Sequence, residues 1–314
     1  MKLSQLVAYR NYLEETSALL VGKIADRELA KIMHMVQTNP VQINQFADQL
    51  ATQQAAIQKN FEEFEQSLDQ LKQQINELIS QEEPAWFRES YRLYEDEMCY
   101  ETAEYILKRH SSISTEARIT LQTRLLNYTD WQHAGIVIRP ALETFIYDMV
   151  SFDPLYIIDE SHELLEPTID KFPEQYRRRL RPYVINERQP DPIMLKIPDS
   201  QFGMCLVYHL FNFRPLEIIK RYLIEIFQKL KPGGILIMTF NDCDREKAVM
   251  LVEQHFACYT PGYLVRDLVT SLGYEILYSW NDSGPSTWLE LRKPGTLTTL
   301  KGGQSLAKVV AYPN

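Results

Sequence analysis

Two residues stand where their types and spacing can act on a nucleoside. Asp159 closes the apolar run 155-LYIID-159, twenty residues after Arg139, which closes the apolar run 134-AGIVIR-139. An acid at the carboxyl end of a second parallel strand can accept hydrogen bonds from both hydroxyls of a ribose. Asp159 can equally cap the helix that follows, and Ser161 can do the same. Further on, 203-GMCLVYHL-210 carries Tyr208 and His209 at its end. An imidazole there can serve as a general base near neutral pH, or simply as a structural hydrogen-bond partner. The turn after the first run, Arg139-Pro140-Ala141-Leu142-Glu143, contains no glycine.

Placing these groups at one edge requires a parallel sheet. After Thr129-Asp130 short apolar runs alternate with helical stretches, which predicts strand-helix-strand units. The strands are read at 134–139, 155–159, 182–186, 203–210, 234–240, 274–280 and 286–293. Helices are expected up to about Val150, from near Ser161, over about 215–230 and over 261–272. The turn Asn281-Asp282-Ser283-Gly284-Pro285 makes the last two strands an antiparallel hairpin. The fold class is therefore α/β, with a seven-stranded, mostly parallel sheet.

The region before the sheet reads as all-helical. Residues 3–38 carry helical periodicity up to Thr38-Asn39-Pro40. Ile43, Leu50, Ile57, Phe64, Leu71 and Leu78 then recur every seven residues. Ala47, Gln54, Phe61, Leu68 and Ile75 recur at the same period, offset by four. These two sets make a coiled-coil seam of about five heptads, roughly 50 Å long. The seam predicts either a homo-oligomer through residues 43–78 or a helical hairpin packed on itself. Gln81-Glu82-Glu83-Pro84 is expected to close the coil, with helix resuming over 85–127. The organisation expected is a helical oligomerisation region (1–83), a helical linker (84–128), the sheet domain (129–294) and a tail (295–314). In the tail, 304–312 can add a strand, dock on a partner or pack over its own domain.

Composition narrows the partners. The chain has 314 residues and a formal net charge of −9, which argues against generic affinity for a nucleic-acid backbone. The run 177-RRRLR-181 is the one basic cluster, and a solvated helix end explains it. Cys99, Cys205, Cys243 and Cys258 form no CxxC pair and no zinc-ligand spacing. Nothing suggests a disulfide framework, a secretory signal or a membrane span, so a reducing cytoplasm is expected.

The region from about 130 to 294 resembles class I S-adenosylmethionine (SAM) dependent methyltransferases, a Rossmann-like family. The segment 230-LKPGGILIMTF-240 is similar to the family's turn into strand 5. The segment 197-IPDSQFGMCLVYHLFNF-213 is similar to its entry into strand 4, with Gly203 where the family usually has Asp. The segment 271-SLGYEILYSW-280 is similar to its helix stop and strand 6. The first loop departs. Val137 stands where the family has an acid, Arg139 and Ala141 stand where its first two glycines are, and Glu143 is the nearest acid.

The resemblance implies SAM as cofactor. It implies cofactor contacts from Ile138, Arg139, Pro140 and Ala141 after strand 1, and from Asp159 and Glu160 after strand 2. Asp191 and Met194 would flank the adenine. Tyr208 and His209 would face the methyl group and the acceptor, as the catalytic candidates. Arg139 can either salt-bridge the cofactor carboxylate or fill the pocket. The segment 208-YHLFNFRP-215 lacks the Asn-Pro-Pro-Tyr pattern of amino-methylating members, which leaves a small molecule or a protein side chain as acceptor. The alternative is a catalytically degenerate methyltransferase-like fold serving as a coiled-coil assembly protein.

Overall fold

The structure, a computed structural model, describes residues 2–17, 43–96, 114–128, 131–139, 149, 151–160, 162–189, 192–281 and 284–297. The chain divides into two compact units, Met1–Pro84 and Ala85–Asn314. Gly22, Pro40, the helix expected after strand 1 and the tail segment 304–312 lie outside the described residues.

Residues 3–17 form helix α1 of the first unit, and helix α2 spans Ile43–Glu95, continuing past the unit boundary at Pro84. Leu3, Leu6, Val7 and Leu13 of α1 are buried, at the three- and four-residue spacing of one helix face. In α2 the two expected seam sets part company. Leu68 and Ile75 are buried, whereas Phe64, Leu71 and Leu78 are 43%, 43% and 45% exposed. Pro84 does not end the helix; it sits inside α2. Proline removes one backbone hydrogen bond and crowds the preceding turn. Ile75 and Ile79 before it, and Ser90, Leu93 and Tyr94 after it, are buried, and this packing holds both flanks helical.

The second unit is built on a seven-stranded sheet of order β3-β2-β1-β4-β5-β7-β6. The strands are β1 Ala134–Ile138, β2 Leu155–Asp159, β3 Leu180–Val184, β4 Phe202–Val207, β5 Leu230–Asn241, β6 Glu275–Asn281 and β7 Ser286–Arg292. The first five in that order run parallel, and β7 runs antiparallel to both β5 and β6. This is the mostly parallel, hairpin-closed sheet expected from the sequence. Every residue of β1 and β4 is buried, as befits central strands covered on both faces.

The remaining helices are α3 Thr115–Tyr128, α4 His162–Asp170, α5 Glu174–Arg177, α6 Leu216–Lys229, α7 Glu246–Glu253 and α8 Gly262–Ser271. Ile136 and Ile138 join the core cluster under α6 and α8, while Val137 joins the cluster under α3 and α4. Alternation along the strand thus feeds both layers. α6 follows Pro215, has Glu217 in its first turn and ends on Lys229, in accord with its dipole.

Several boundaries differ from expectation, and β4 ends at Val207 and not at Leu210, which leaves Tyr208 and His209 beyond the strand. β3 begins two residues earlier, because Leu180 pairs with Leu155 and Val184 with Asp159. Its Pro182 is tolerated because β3 is an edge strand. β5 begins directly at the end of α6, since Leu230 already pairs with Phe202. Gly233 makes the intervening kink at φ 78°, where an added Cβ would lie 2.3 Å from the Leu297 nitrogen. α7 was not anticipated; its short apolar face buries Ala248, Val249 and Val252. Among the described residues no helix is long and apolar enough to cross a membrane.

Candidate functional site

The sheet has one switch point. The connection from β1 leads to β2 on one side, and β4 lies on the other. In open parallel sheets ligands sit at the carboxyl ends of the strands beside that point. Ile138 pairs with Ile158 of β2 and with Val207 of β4, so Asp159, the last residue of β2, stands beside Arg139 and Tyr208, each one residue past its strand.

Asp159 is 3% exposed. Its Oδ1 accepts the backbone N–H of Glu160 at 2.7 Å, and its Oδ2 has no hydrogen-bond partner. Its backbone carbonyl accepts the Ile185 N–H at 2.9 Å, which ties the end of β2 to that of β3. Burial pushes the carboxyl pKa above its usual value, against the pull of the Arg139 charge and the Glu160 N–H.

Arg139 adopts φ 56° in the absence of a glycine. Its N–H donates to the Ile158 carbonyl at 2.8 Å, so the chain stays in sheet register up to the turn. The side chain is buried, with a guanidinium nitrogen 3.7 Å from Glu160 Oε2. Arg214, after β4, reaches the same oxygen at 3.3 Å and places its Nε 2.5 Å from Glu187 Oε1. The Tyr222 hydroxyl donates to Glu187 Oε2 at 2.9 Å, and the Tyr94 ring lies 5.6 Å from the Arg214 guanidinium. Burial raises the Glu160 pKa to about 6 despite Arg214. Burial also works on Glu187, but the Arg214 charge and the Tyr222 hydroxyl outweigh it and hold that carboxyl below its ordinary value.

Glu187 and Asp159 differ in kind. Both carboxylate oxygens of Glu187 are engaged, whereas Oδ2 of Asp159 has no hydrogen-bond partner. Arg214, Glu187, Tyr94 and Tyr222 were missed by sequence reasoning. The one available signal was Arg214 itself, the lone charge in the apolar stretch 210-LFNFRPL-216.

The other expected residues fall as follows. Tyr208 is buried, with its ring 4.5 Å from His209 and 5.6 Å from Trp288. His209 is half-buried at φ 50°, with its ring 6.1 Å from that of Trp288. Ile138 is core. Met194 is buried in the cluster under α6, and its N–H and that of Ile193 donate to the two oxygens of Glu225, each at 2.6 Å. Pro140, Ala141 and Asp191 lie outside the described residues. Gly203, where the family has an acid, admits His133: an added Cβ would lie 2.8 Å from the His133 Cβ. The arginines of 177–181 bond their own domain, with Arg177 donating to the Phe172 and Asp170 carbonyls and Arg179 to that of Phe152.

No protein-family model matches the chain, and no curated protein matches it in sequence. Solved structures resemble it in part. One is a possible exported protein from Bordetella parapertussis, at TM-score 0.46 and 13% identity over 58% of this chain and 69% of that one. A second is an S-adenosylmethionine dependent methyltransferase from Mesorhizobium loti, at 0.42 and 10% over 54% and 96%. A third is the N-methyltransferase NodS from Bradyrhizobium japonicum WM9 in complex with S-adenosyl-L-homocysteine, at 0.43 and 15% over 57% and 87%. Scores and identities this low describe a likeness of architecture only. The strand order and the single reversed strand make the sheet domain a Rossmann-like α/β fold.

Proposed function

We propose that the strand-end crevice binds S-adenosylmethionine and that the protein is a methyltransferase acting on a small-molecule or protein acceptor. Asp159 carries this reading. A buried carboxylate oxygen without a partner costs about 1–3 kcal/mol, and a ribose hydroxyl would satisfy it. Arg139 adds support, since its left-handed backbone follows the path a glycine would give the loop.

The cofactor supplies an electrophilic methyl group on a sulfonium. Little covalent help is needed from the protein beyond placing the acceptor in line. Asp159 holds the ribose end, and Glu160 keeps the neighbouring cations in place. His209 takes the acceptor's proton, and the buried Tyr208 ring props the imidazole against Trp288. Self-association through residues 43–78 is part of the same proposal, and the exposed Phe64, Leu71 and Leu78 stripe supports it.

A second reading, a degenerate scaffold, is favoured by the Arg139 side chain, which is 6% exposed where the family has glycine. Thermal unfolding with S-adenosylhomocysteine separates the two. Ligand at a hundredfold over its Kd adds about 2.7 kcal/mol, roughly 5–10 °C for a domain this size. A rise of that order, absent in Asp159→Asn, supports the cofactor site. An unmoved transition at millimolar ligand supports the scaffold.

A further inference from the structure

A second set of buried polar groups gathers where β5 ends and β7 begins. Asn241 ends β5 and pairs with Ser286, the first residue of β7, so their side chains share a face. Asn212, in the short helical turn Phe211–Phe213 after β4, donates from Nδ2 to Ser286 Oγ at 2.9 Å. Cys258 ties the two asparagines together again. Its N–H donates to the Asn212 carbonyl at 3.2 Å, and its carbonyl accepts Asn241 Nδ2 at 3.3 Å. Asn241 Nδ2 also donates to the Ala248 carbonyl at 3.3 Å, and two carbonyls on one side fix which end of this amide is nitrogen. Thr260, two residues past Cys258, accepts the Cys243 N–H at its carbonyl at 3.0 Å. Thr239 lies two residues before Asn241 on the same strand face. Asn212, Asn241, Thr239 and Thr260 are between 0% and 4% exposed. Asn212 Oδ1, Asn241 Oδ1, Thr239 Oγ1 and Thr260 Oγ1 nevertheless have no hydrogen-bond partner within the protein.

We propose that these oxygens bind the nitrogen of a small primary amine. The two amide oxygens accept hydrogen bonds and never donate, and the two hydroxyls can accept as well. A group rich in N–H satisfies them, whereas a carboxylate or phosphate would set oxygen against oxygen. None of the four is charged, and burial disfavours an ion, so the neutral amine is the form taken. Its two N–H bonds go to two of the oxygens and leave the nitrogen lone pair unused. Burial this deep admits a small molecule and not a side chain of a folded protein. Ser286 shares its strand face with Trp288, whose ring is 6.1 Å from that of His209, so the amine site adjoins the catalytic candidate. The binding claim rests on these residues, and the amine's role as methyl acceptor rests on the cofactor reading above. On that reading the nitrogen lone pair forms the new N–CH3 bond, sulfur keeps the electron pair of the broken S–CH3 bond, and one nitrogen proton passes to His209.

Benzylamine, benzyl alcohol and benzoate share a shape and differ in head group, so they test the claim directly. Each is titrated into the full chain at about pH 9, where an appreciable share of the amine is neutral, with saturation-transfer NMR as the readout and circular dichroism to establish folding. Benzylamine is expected to bind about tenfold tighter than benzyl alcohol, the scale of one added hydrogen bond to a buried unpaired acceptor, and benzoate weakest of the three. Thr260→Val removes an oxygen that bonds nothing in the protein, so it should leave the fold intact and weaken benzylamine by about fivefold or more. Asn212→Leu should act on the amine in the same direction. Equal affinities for amine and alcohol, or an unchanged preference in both variants, overturn the proposal. So does binding of none of the three probes to the folded wild type, which would leave these oxygens to water. S-adenosylhomocysteine is titrated alongside. Its binding without benzylamine removes the amine site and keeps the cofactor reading, whereas benzylamine binding without it supports the amine site and removes the cofactor reading.

Discussion

Arg139 and His209 leave their strands in the same left-handed conformation, at φ 56° and 50°, one beyond β1 and the other beyond β4. These are the two strands at the switch point of the sheet. Residues other than glycine pay for this conformation, by about 1–3 kcal/mol at a strained position, and such strain gathers at functional sites.

The same strain makes a stability prediction at His209. Asparagine enters the left-handed region readily, whereas a β-branched side chain does not. His209→Val should therefore be less stable than His209→Asn by about 1–2 kcal/mol in urea unfolding. Equal stability of the two variants would contradict the strain at this position.

Arg214 should matter strongly for folding. Removing it leaves Glu187 buried without its cation, and breaking a buried pair typically costs about 3–5 kcal/mol. Arg214→Met is expected to lose that much, and Glu187→Gln in the same chain should recover a large part. Simple additivity of the two changes would show that the pair is not coupled.

Glu160 gives the crevice a pH dependence. Its folded pKa is raised from 4.5 to about 6, chiefly by burial. Below 4.5 the group is protonated in both states and contributes nothing. Between 4.5 and about 6 the unfolded chain releases the proton while the folded chain retains it, so this group lowers stability as pH rises. Above that window the loss is constant. Glu187, whose pKa is lowered, acts in the opposite sense: its contribution is present above its unfolded pKa and is lost on acidification. The difference in stability between Glu160→Gln and wild type should thus grow in favour of the variant across pH 4.5 to 6, as read by urea titration at several pH values. A difference independent of pH would mean that Glu160 titrates normally.

Self-association should depend on the exposed stripe and not on the whole seam. Leu68 and Ile75 are buried, so charging them would destabilise the fold. Leu71 and Leu78 are exposed, so Leu71→Glu with Leu78→Glu should lower the mass in sedimentation equilibrium and leave the far-ultraviolet spectrum unchanged. An unchanged mass removes residues 43–78 as the association surface.

The sheet was legible because its signals are local. Apolar runs such as 134-AGIVI-138 and 203-GMCLV-207 are buried on both faces, and the turn at 281–285 fixes the closing hairpin. Boundaries slipped where long-range pairing overrode local cues, as at Leu180, whose partner Leu155 lies in the preceding strand. Pro84 misled for the opposite reason: a strong local breaker was outweighed by packing on both sides of it. Asp159 could be picked out because its strand ends in an acid. The Arg214–Glu187 pair could not, because only the fold brings the segment after β3 beside the segment after β4.

The central claim is that the strand-end crevice holds a nucleoside cofactor on Asp159. Calorimetric titration of S-adenosylhomocysteine into the full chain tests it most directly, with Asp159→Asn alongside. The expected result is saturable binding at one site per chain in the wild type, weakened by about tenfold or more in the variant. No heat of binding at millimolar ligand to a folded wild type, or equal binding by both proteins, would contradict it.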